Sequence, residues 1–392
     1  MMLRCCFIIW WRVAAVVVSA IISHLGGVRS FLLLPSQLAG GKQKKNYNRS
    51  HFHEWSTAAT ATPIREEIRY IAGRRALLLH PTTSSSPKQS RSNVVSNNPP
   101  LVVLGGMAQS IASWELHLTY FAKDRSVLIY ECLGQGPHPP EEIYPALDLN
   151  TYYEDVSLKR QGSDFWNVVD EAFFTPGSYY HDNVLLHNGG DPPIPQKIDV
   201  VGFSFGGRVA MAAAVSFPNR IRRLHLTGVG SERDEYANVI LASWKEMLGT
   251  NDAVINENNS ALRAFAWSII LATYSEKFLA SVGSIRVQTW VDGICQFNTQ
   301  KGLRAILMQT HGGEGQWTPA SMAAQMRVSV ESCKLVVGSE DKMASKDQVF
   351  LLGQQLREDV DEDYFKVIEN CGHAVPFEAM QLWRRDVIKF LT

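Results

Sequence analysis

The sequence predicts an α/β fold with a mostly parallel central sheet, helices on both faces and a helical cap. Three observations carry this. Short apolar runs at residues 101–104, 126–130, 198–201 and 221–227 each lead into a loop and then, in most cases, a helical pattern. From residue 231 to about 330 the pattern is helical alone and rich in aromatics, and strand-like sequence returns at 333–337. Strands spaced by helical crossovers pair in parallel, so the alternation implies a sheet covered on both faces.

Taken in order, the folded part begins near Ile64. Runs at 66–72 and 75–80 flank Gly73 and read as a hairpin, and residues 81–100 are a loop rich in Ser, Pro and Asn. The buried strand 101–104 enters the loop Gly105-Gly106-Met107-Ala108-Gln109-Ser110, and Ser113 is placed to cap a helix carrying Trp114 and Phe121. The strand 126–130 ends at Glu131-Cys132-Leu133-Gly134-Gln135-Gly136, and a helical pattern covers about 158–174. Beyond residue 204 an Ala-rich helix runs to Pro218 and the strand 221–227 follows.

The cap reads as helices over 234–248, 260–282, 285–311 with an interruption, and 318–330, with Trp244, Phe265, Trp267, Tyr274, Trp290 and Phe297 as core-packing aromatics. After the strand 333–337 come Gly338-Ser339-Glu340-Asp341, a helix over 346–356, a strand over 364–368, the loop 370–377 and a final amphipathic helix. The expected organisation is therefore 64–230 and 331–392 as core, with 231–330 inserted as cap.

Composition narrows the functional classes. With 38 basic and 38 acidic residues and 45% hydrophobic content in 392 residues, nothing points to a nucleic-acid partner or a disordered chain. The first 53 residues differ, having Arg4, Arg12, Arg29, Lys42, Lys44, Lys45 and Arg49 but no Asp or Glu. Residues 1–30 read as a signal-like segment, with an apolar run at 13–22 and Val28-Arg29-Ser30 as cleavage site. That run falls short of the ~20 residues that span a bilayer, so no stable membrane anchor is expected in the mature form. Residues 31–63 are basic and hydroxyl-rich and look like a transit segment without a packed core. A signal, then Phe31, then a transit-like stretch resembles the bipartite plastid presequence of algae with secondary plastids; secretion or an endomembrane lumen is the alternative. Cys132, Cys295, Cys333 and Cys371 are scattered, without a CxxC, and read as reduced thiols. No HExxH-like spacing marks a metal site, and neither a cofactor nor an oligomeric state is indicated.

The chemistry centres on Gly202-Phe203-Ser204-Phe205-Gly206, placed between a buried strand and a helix. A sharp strand-to-helix turn strains the serine backbone and holds its hydroxyl at the carboxyl end of the sheet, while the helix N-terminus offers unpaired N–H groups to developing negative charge. A serine hydroxyl is a weak nucleophile at neutral pH. It needs a general base, and the base needs a group that fixes its tautomer. Asp341 and His373 each follow a strand, which brings both to the same sheet edge as Ser204 in the chain order Ser, Asp, His. Glu340 is the lesser alternative to Asp341.

On Gly202-Phe203-Ser204-Phe205-Gly206-Gly207, Gly338-x-x-Asp341 and Gly372-His373-Ala374-Val375-Pro376, the chain from about Ile64 to Thr392 resembles the α/β-hydrolase superfamily. The resemblance implies the α/β-hydrolase fold, Ser204, Asp341 and His373 as catalytic residues, and the backbone N–H groups of Met107 and Phe205 as the oxyanion hole. Two departures stand out. The family usually has His-Gly where this chain has Gly105-Gly106, and often His at Gln135. Ser204-Phe205-Gly206-Gly207-Arg208 further resembles the pattern of succinyl-hydroxycyclohexadiene-carboxylate synthases of the menaquinone and phylloquinone pathway, which implies that Arg208 binds a substrate carboxylate. The expectation is thus a serine hydrolase acting on a small ester or acyl substrate. The alternatives are a pyruvate-eliminating lyase of that pathway and a non-catalytic ligand-binding member of the fold.

Overall fold

The computed structural model describes residues 64–81, 98–137, 152–182, 197–249, 260–310 and 317–392, apart from 358 and 362. These all fall within one unit, Thr60–Thr392. The signal-like and transit-like segments lie outside the described residues.

Apolar runs set most of the strands, β1 with its four charged residues being the exception. β1 (Ile64–Ile71) and β2 (Arg74–Pro81) form the predicted hairpin, turning at Ala72 and Gly73. β3 (Leu101–Leu104), β4 (Val127–Tyr130) and β5 (Ile198–Phe203) are buried along their whole length. β6 (Ile221–Thr227), β7 (Ser332–Gly338) and β8 (Phe365–Ile368) complete one sheet in the order β1-β2-β4-β3-β5-β6-β7-β8. Among the described residues, only β1–β2 and β2–β4 are antiparallel; the pairs from β4 to β8 are parallel.

Successive strand residues point to opposite faces. Val102, Leu128 and Val200 feed one core, and Val103, Ile129 and Val201 feed the other. Over the second face lie α1 (Ile111–Phe121) and the last helix, whose Trp114, Phe121 and Trp383 rings pack edge to face. On the first face α2 (Leu158–Val169) crosses α3 (Phe205–Ser216) closely enough for Trp166 Nε1 to donate to the Ala213 carbonyl at 2.9 Å.

Two details of the core helices differ from the sequence reading. α1 begins earlier than predicted, with Ser110 rather than Ser113 at its cap, because Ile111 is already buried. The predicted helix over 158–174 ends in a π-turn, Asp170–Phe174, closed by Thr175 N donating to the Asp170 carbonyl at 3.0 Å.

Between β6 and β7 the cap comprises α4 (Glu235–Met247), α5 (Ser260–Thr273), α6 (Glu276–Val282), α7 (Ser284–Phe297) and α8 (Gln300–Thr310). The stretch read as one helix over 260–282 is broken at Tyr274-Ser275, where the Ser275 hydroxyl caps α6 by accepting from Phe278 N at 3.3 Å. α9 (Pro319–Met326) follows a Thr318 cap and packs on α3 and α10 (Lys346–Leu356). The short α11 (Val375–Glu378) and α12 (Met380–Leu391) end the chain. No helix of the described residues is long and apolar enough to cross a membrane.

Candidate active site

Because β3 to β8 run parallel, their carboxyl ends share one edge, and the register aligns Leu104 with Gly202, Phe203 with Thr227 and Gly338 with Ile368. The loops after these strands therefore converge, and they carry the residues singled out above.

Ser204 stands between β5 and α3 at φ 52° and ψ −117°, a conformation L-residues rarely adopt. It is held there by Ser204 N donating to the Thr227 carbonyl at 2.8 Å, and its own carbonyl accepts from Arg208 N at 3.2 Å. Gly206 makes the turn possible: a Cβ at this position would lie 2.5 Å from the Leu104 carbonyl oxygen and against that of Gly105. Gly228, at φ +64°, leaves room for the histidine ring, since a Cβ there would lie 2.8 Å from His373 Cε1.

The three predicted side chains meet. His373 Nδ1 lies 2.7 Å from Asp341 Oδ2, and His373 Nε2 lies 2.8 Å from Ser204 Oγ. Asp341 Oδ1 accepts from the N–H groups of Met343 and Ala344, both at 2.8 Å. With that oxygen occupied by two donors, the other accepts from His373, which assigns the ring proton to Nδ1 and leaves the Nε2 lone pair facing Ser204 Oγ. Asp341 and His373 are only 7% and 4% exposed, so these bonds sit in a setting of low dielectric. The Phe203 ring packs on the imidazole at 5.2 Å between centroids.

Two backbone N–H groups of the loops that meet here donate to no protein acceptor among the described residues. Phe205 is the first residue of α3, so its N–H has no acceptor within the helix. In the loop after β3, Gly106 N donates to Gln109 Oε1 at 2.7 Å and Ala108 N to Gln135 Oε1 at 2.6 Å. Met107 N, between them, donates to no protein acceptor among the described residues.

Arg208, on the first turn of α3, is 7% exposed. Its Nη1 donates to the Thr310 carbonyl at 2.9 Å, its Nε has no partner, and it forms no ion pair among the described residues. Burial pushes the guanidinium well below its ordinary pKa, and the neighbouring Arg233 pushes the same way. Burial also brings Arg233 down to about 10. The sequence reading did not single out Arg233, which follows β6 with no motif around it.

Cap residues bond to the site loops at Asn298 and at the break between α5 and α6. Asn298, between α7 and α8, donates from Nδ2 to the Ala108 carbonyl at 3.1 Å and accepts from Gly136 N at 3.4 Å. At the α5–α6 break, the Thr273 carbonyl accepts from Ala374 N at 2.9 Å. Glu378 accepts from Gly372 N at 3.1 Å and from the Ser275 hydroxyl at 2.5 Å. Ala374 is thus bonded directly to the α5–α6 break, and Gly372 is joined to it through Glu378. Sequence reasoning missed these contacts, which join residues far apart in the chain.

Among the described residues no group of three or more His, Cys, Asp or Glu side chains is placed to hold a metal ion, and Cys132, Cys295, Cys333 and Cys371 are free.

Fold and loop arrangement define an α/β hydrolase, and the family model for the alpha/beta hydrolase family matches residues 101–384. The chain belongs to that family. Among its relatives, the 2-hydroxymuconate semialdehyde hydrolase of Pseudomonas sp. (strain CF600) is 27% identical over 238 residues, 56% of this chain and 71% of that protein. A provisionally assigned 2-succinyl-6-hydroxy-2,4-cyclohexadiene-1-carboxylate synthase of Bacillus subtilis (strain 168) is 23% identical over 299 residues, 74% of this chain and 90% of the other. Among solved structures, the enol-lactonase of Burkholderia xenovorans LB400 shares the fold with a TM-score of 0.56 at 13% identity, covering 83% of this chain and 99% of the enzyme.

Proposed function

We propose that the protein is a serine hydrolase in which Ser204, His373 and Asp341 act as a catalytic triad on a small acyl substrate, an ester or an activated carbonyl compound of the kind its relatives are named for. The observation that carries this is the unbroken relay from Asp341 through His373 to a strained Ser204, at 2.7 and 2.8 Å. Ser204 Oγ attacks the carbonyl carbon while His373 Nε2 takes its proton. Asp341 stabilises the imidazolium, and the N–H groups of Met107 and Phe205 receive the oxyanion. His373 then returns the proton to the leaving group, and water, activated by the same imidazole, releases the acid.

A fluorophosphonate probe tests the reading. The wild-type chain is expected to be labelled and the Ser204→Ala variant to be inert. A folded wild-type chain that ignores the probe, or a labelled Ser204→Ala variant, refutes it. Tight retention of one ligand without turnover would instead favour a binding protein.

The buried guanidinium of Arg208, with no acid partner among the described residues, supports a second reading, in which the substrate carries a carboxylate and the same relay removes a proton so that pyruvate is eliminated. The relative named as a carboxylate synthase fits this. Strong loss of pyruvate release in Arg208→Ala is expected on this reading, and an unaffected variant rejects it. We further propose plastid targeting by residues 1–63: fused to a fluorescent protein, they are expected to direct it to the plastid of a secondary-plastid alga, whereas secretion would overturn this.

A further inference from the structure

We propose that Gln135 and Asn298 are positioning residues that fix the Met107–Ala108 turn in its oxyanion-binding form, so that the cap, through Asn298, helps to build the oxyanion hole. This rests on the reading of Ser204 as nucleophile and of Met107 N–H as an oxyanion donor.

The turn's own bonds tie its Gly106 end to Gln109, and its Ala108 end depends on distant residues. Ala108 has φ +64°, a left-handed conformation that a residue with a Cβ adopts at some cost, and it persists only where the surroundings hold it. Here both polar groups of Ala108 are held by side-chain amides from distant parts of the chain. Its N–H donates to Gln135 Oε1 at 2.6 Å, and its carbonyl accepts from Asn298 Nδ2 at 3.1 Å. Both amides are only 6% exposed, so water is a poor substitute for either.

The direction of Met107 N–H is set by the peptide planes around it. The plane before Met107 is tied by the Gly106 carbonyl accepting from Gln109 N at 3.3 Å. Gln135 ties the plane after it, through Ala108 N–H. Asn298 ties the next plane through the Ala108 carbonyl. Asn298 also accepts from Gly136 N at 3.4 Å and donates to the Ile294 carbonyl at 3.1 Å, so one buried amide links the donor loop, the loop after β4 and cap helix α7. Without Gln135 the Ala108 N–H would be buried and unpaired, and the residue would be free to return to negative φ, turning the neighbouring peptide and Met107 with it. Gln135, the departure from the usual histidine, thus supplies the acceptor that this turn requires.

The experiment uses the full chain and three variants, Gln135→Met, Gln135→His and Asn298→Leu. Four quantities are measured: the second-order rate of fluorophosphonate labelling, kcat and KM for p-nitrophenyl acetate, the inhibition constant of phenylboronic acid, and Tm. Active sites are counted by probe titration so that unfolded protein does not enter the rates. Loss of a whole oxyanion donor costs roughly a hundredfold or more, so a misdirected one is expected to slow labelling and kcat about 10- to 100-fold in Gln135→Met and in Asn298→Leu. KM should stay within about twofold, and boronate binding, which needs a tetrahedral anion, should weaken in parallel with kcat. Gln135→His is expected to recover most of the rate. A purely structural role would lower Tm and leave the rate per titrated site and the boronate affinity unchanged; that result overturns the proposal. Should Gln135→Met fail to fold, Asn298→Leu decides by the same criteria. If the wild-type chain does not react at Ser204, the nucleophile reading and this inference both fall. If it reacts and the variants match it, only this inference falls.

Discussion

The turn at Ser204 depends on α3 approaching β3 with nothing but hydrogen on Gly206, and Gly206→Ala measures how much the site relies on that approach. The new Cβ would lie 2.5 Å from the Leu104 carbonyl oxygen and 2.6 Å from its carbon, where ordinary contact begins near 3.4 Å, so roughly 0.9 Å must be gained. Leu104 cannot yield it, because β3 is paired on both sides, with β4 and β5. The displacement therefore falls on α3 or on residues 105–108, which adjoin Ser204 and carry Met107, the groups proposed to react and to hold the oxyanion. Overpacking of this kind costs about 1–3 kcal/mol. At roughly 2–4 °C per kcal/mol for a domain of this size, Tm should fall by about 2–12 °C. A reacting atom misplaced by 1 Å can lose about a hundredfold in rate, which sets the expected fall in fluorophosphonate labelling per folded molecule. Gly293→Ala is the matched control. This helical glycine has nothing within 4 Å of a new Cβ, so the change should leave labelling unaltered and stabilise by about 0.5–1 kcal/mol. Wild-type rate and Tm in Gly206→Ala would refute the reasoning.

Other perturbations test separate parts of the site. Asp341→Asn keeps the shape but places an amide where a carboxylate accepts three hydrogen bonds, favouring the wrong imidazole tautomer; kcat should fall about 10⁴-fold, and a loss below tenfold would argue against Asp341 as the orienting group. Arg208→Met removes a desolvated cation without an acid partner among the described residues, so Tm should hold or rise while turnover of carboxylate-bearing substrates drops about a hundredfold relative to neutral ones; equal loss on both would remove Arg208 from substrate recognition. Burial, then Arg65 and Arg69, lowers the His80 pKa to about 4, and burial, then Arg384, lowers that of His117 to about 3. Both stay neutral in the fold while the unfolded chain takes up protons below pH ~6.5, so stability should fall from there towards pH 4, by about 2 kcal/mol for each histidine at pH 5. Urea midpoints at pH 7 and pH 5 check this, and a His117→Phe variant should show a shallower fall; identical midpoints in the wild type would refute it.

Much of this architecture was legible because its signals are local. Unbroken apolar runs gave β3, β4 and β5, and the glycines around Ser204 marked a turn whose strain the backbone shows at φ 52°. Asp341 and His373 could be named because each follows a strand in a parallel sheet, where strand ends share an edge. The features that escaped are those created by distant partners. The break at Tyr274-Ser275 contains neither Gly nor Pro, and it lies where Ser275 meets Glu378, 103 residues away. Asn298 meets Ala108 across 190 residues, and no pattern within either segment announces the other. Ser113 carries the stronger local cap signal, while the earlier start of α1 is set by the burial of Ile111, a tertiary effect.

The insertion of the cap between β6 and β7 has a consequence for how the fold can be varied. These strands pair directly, Thr227 opposite Val336, so the sheet closes whatever lies between them, and the cap resembles an exchangeable module. It is exchangeable only in part. Asn298 and the Thr273–Ser275 hinge reach into the loops that carry Met107 and His373. A transplanted cap that brought a new cavity without an amide at the first point and a carbonyl and hydroxyl at the second would alter the groups proposed to react along with the substrate. In this chain, new specificity can be grafted only by keeping those few polar atoms in register.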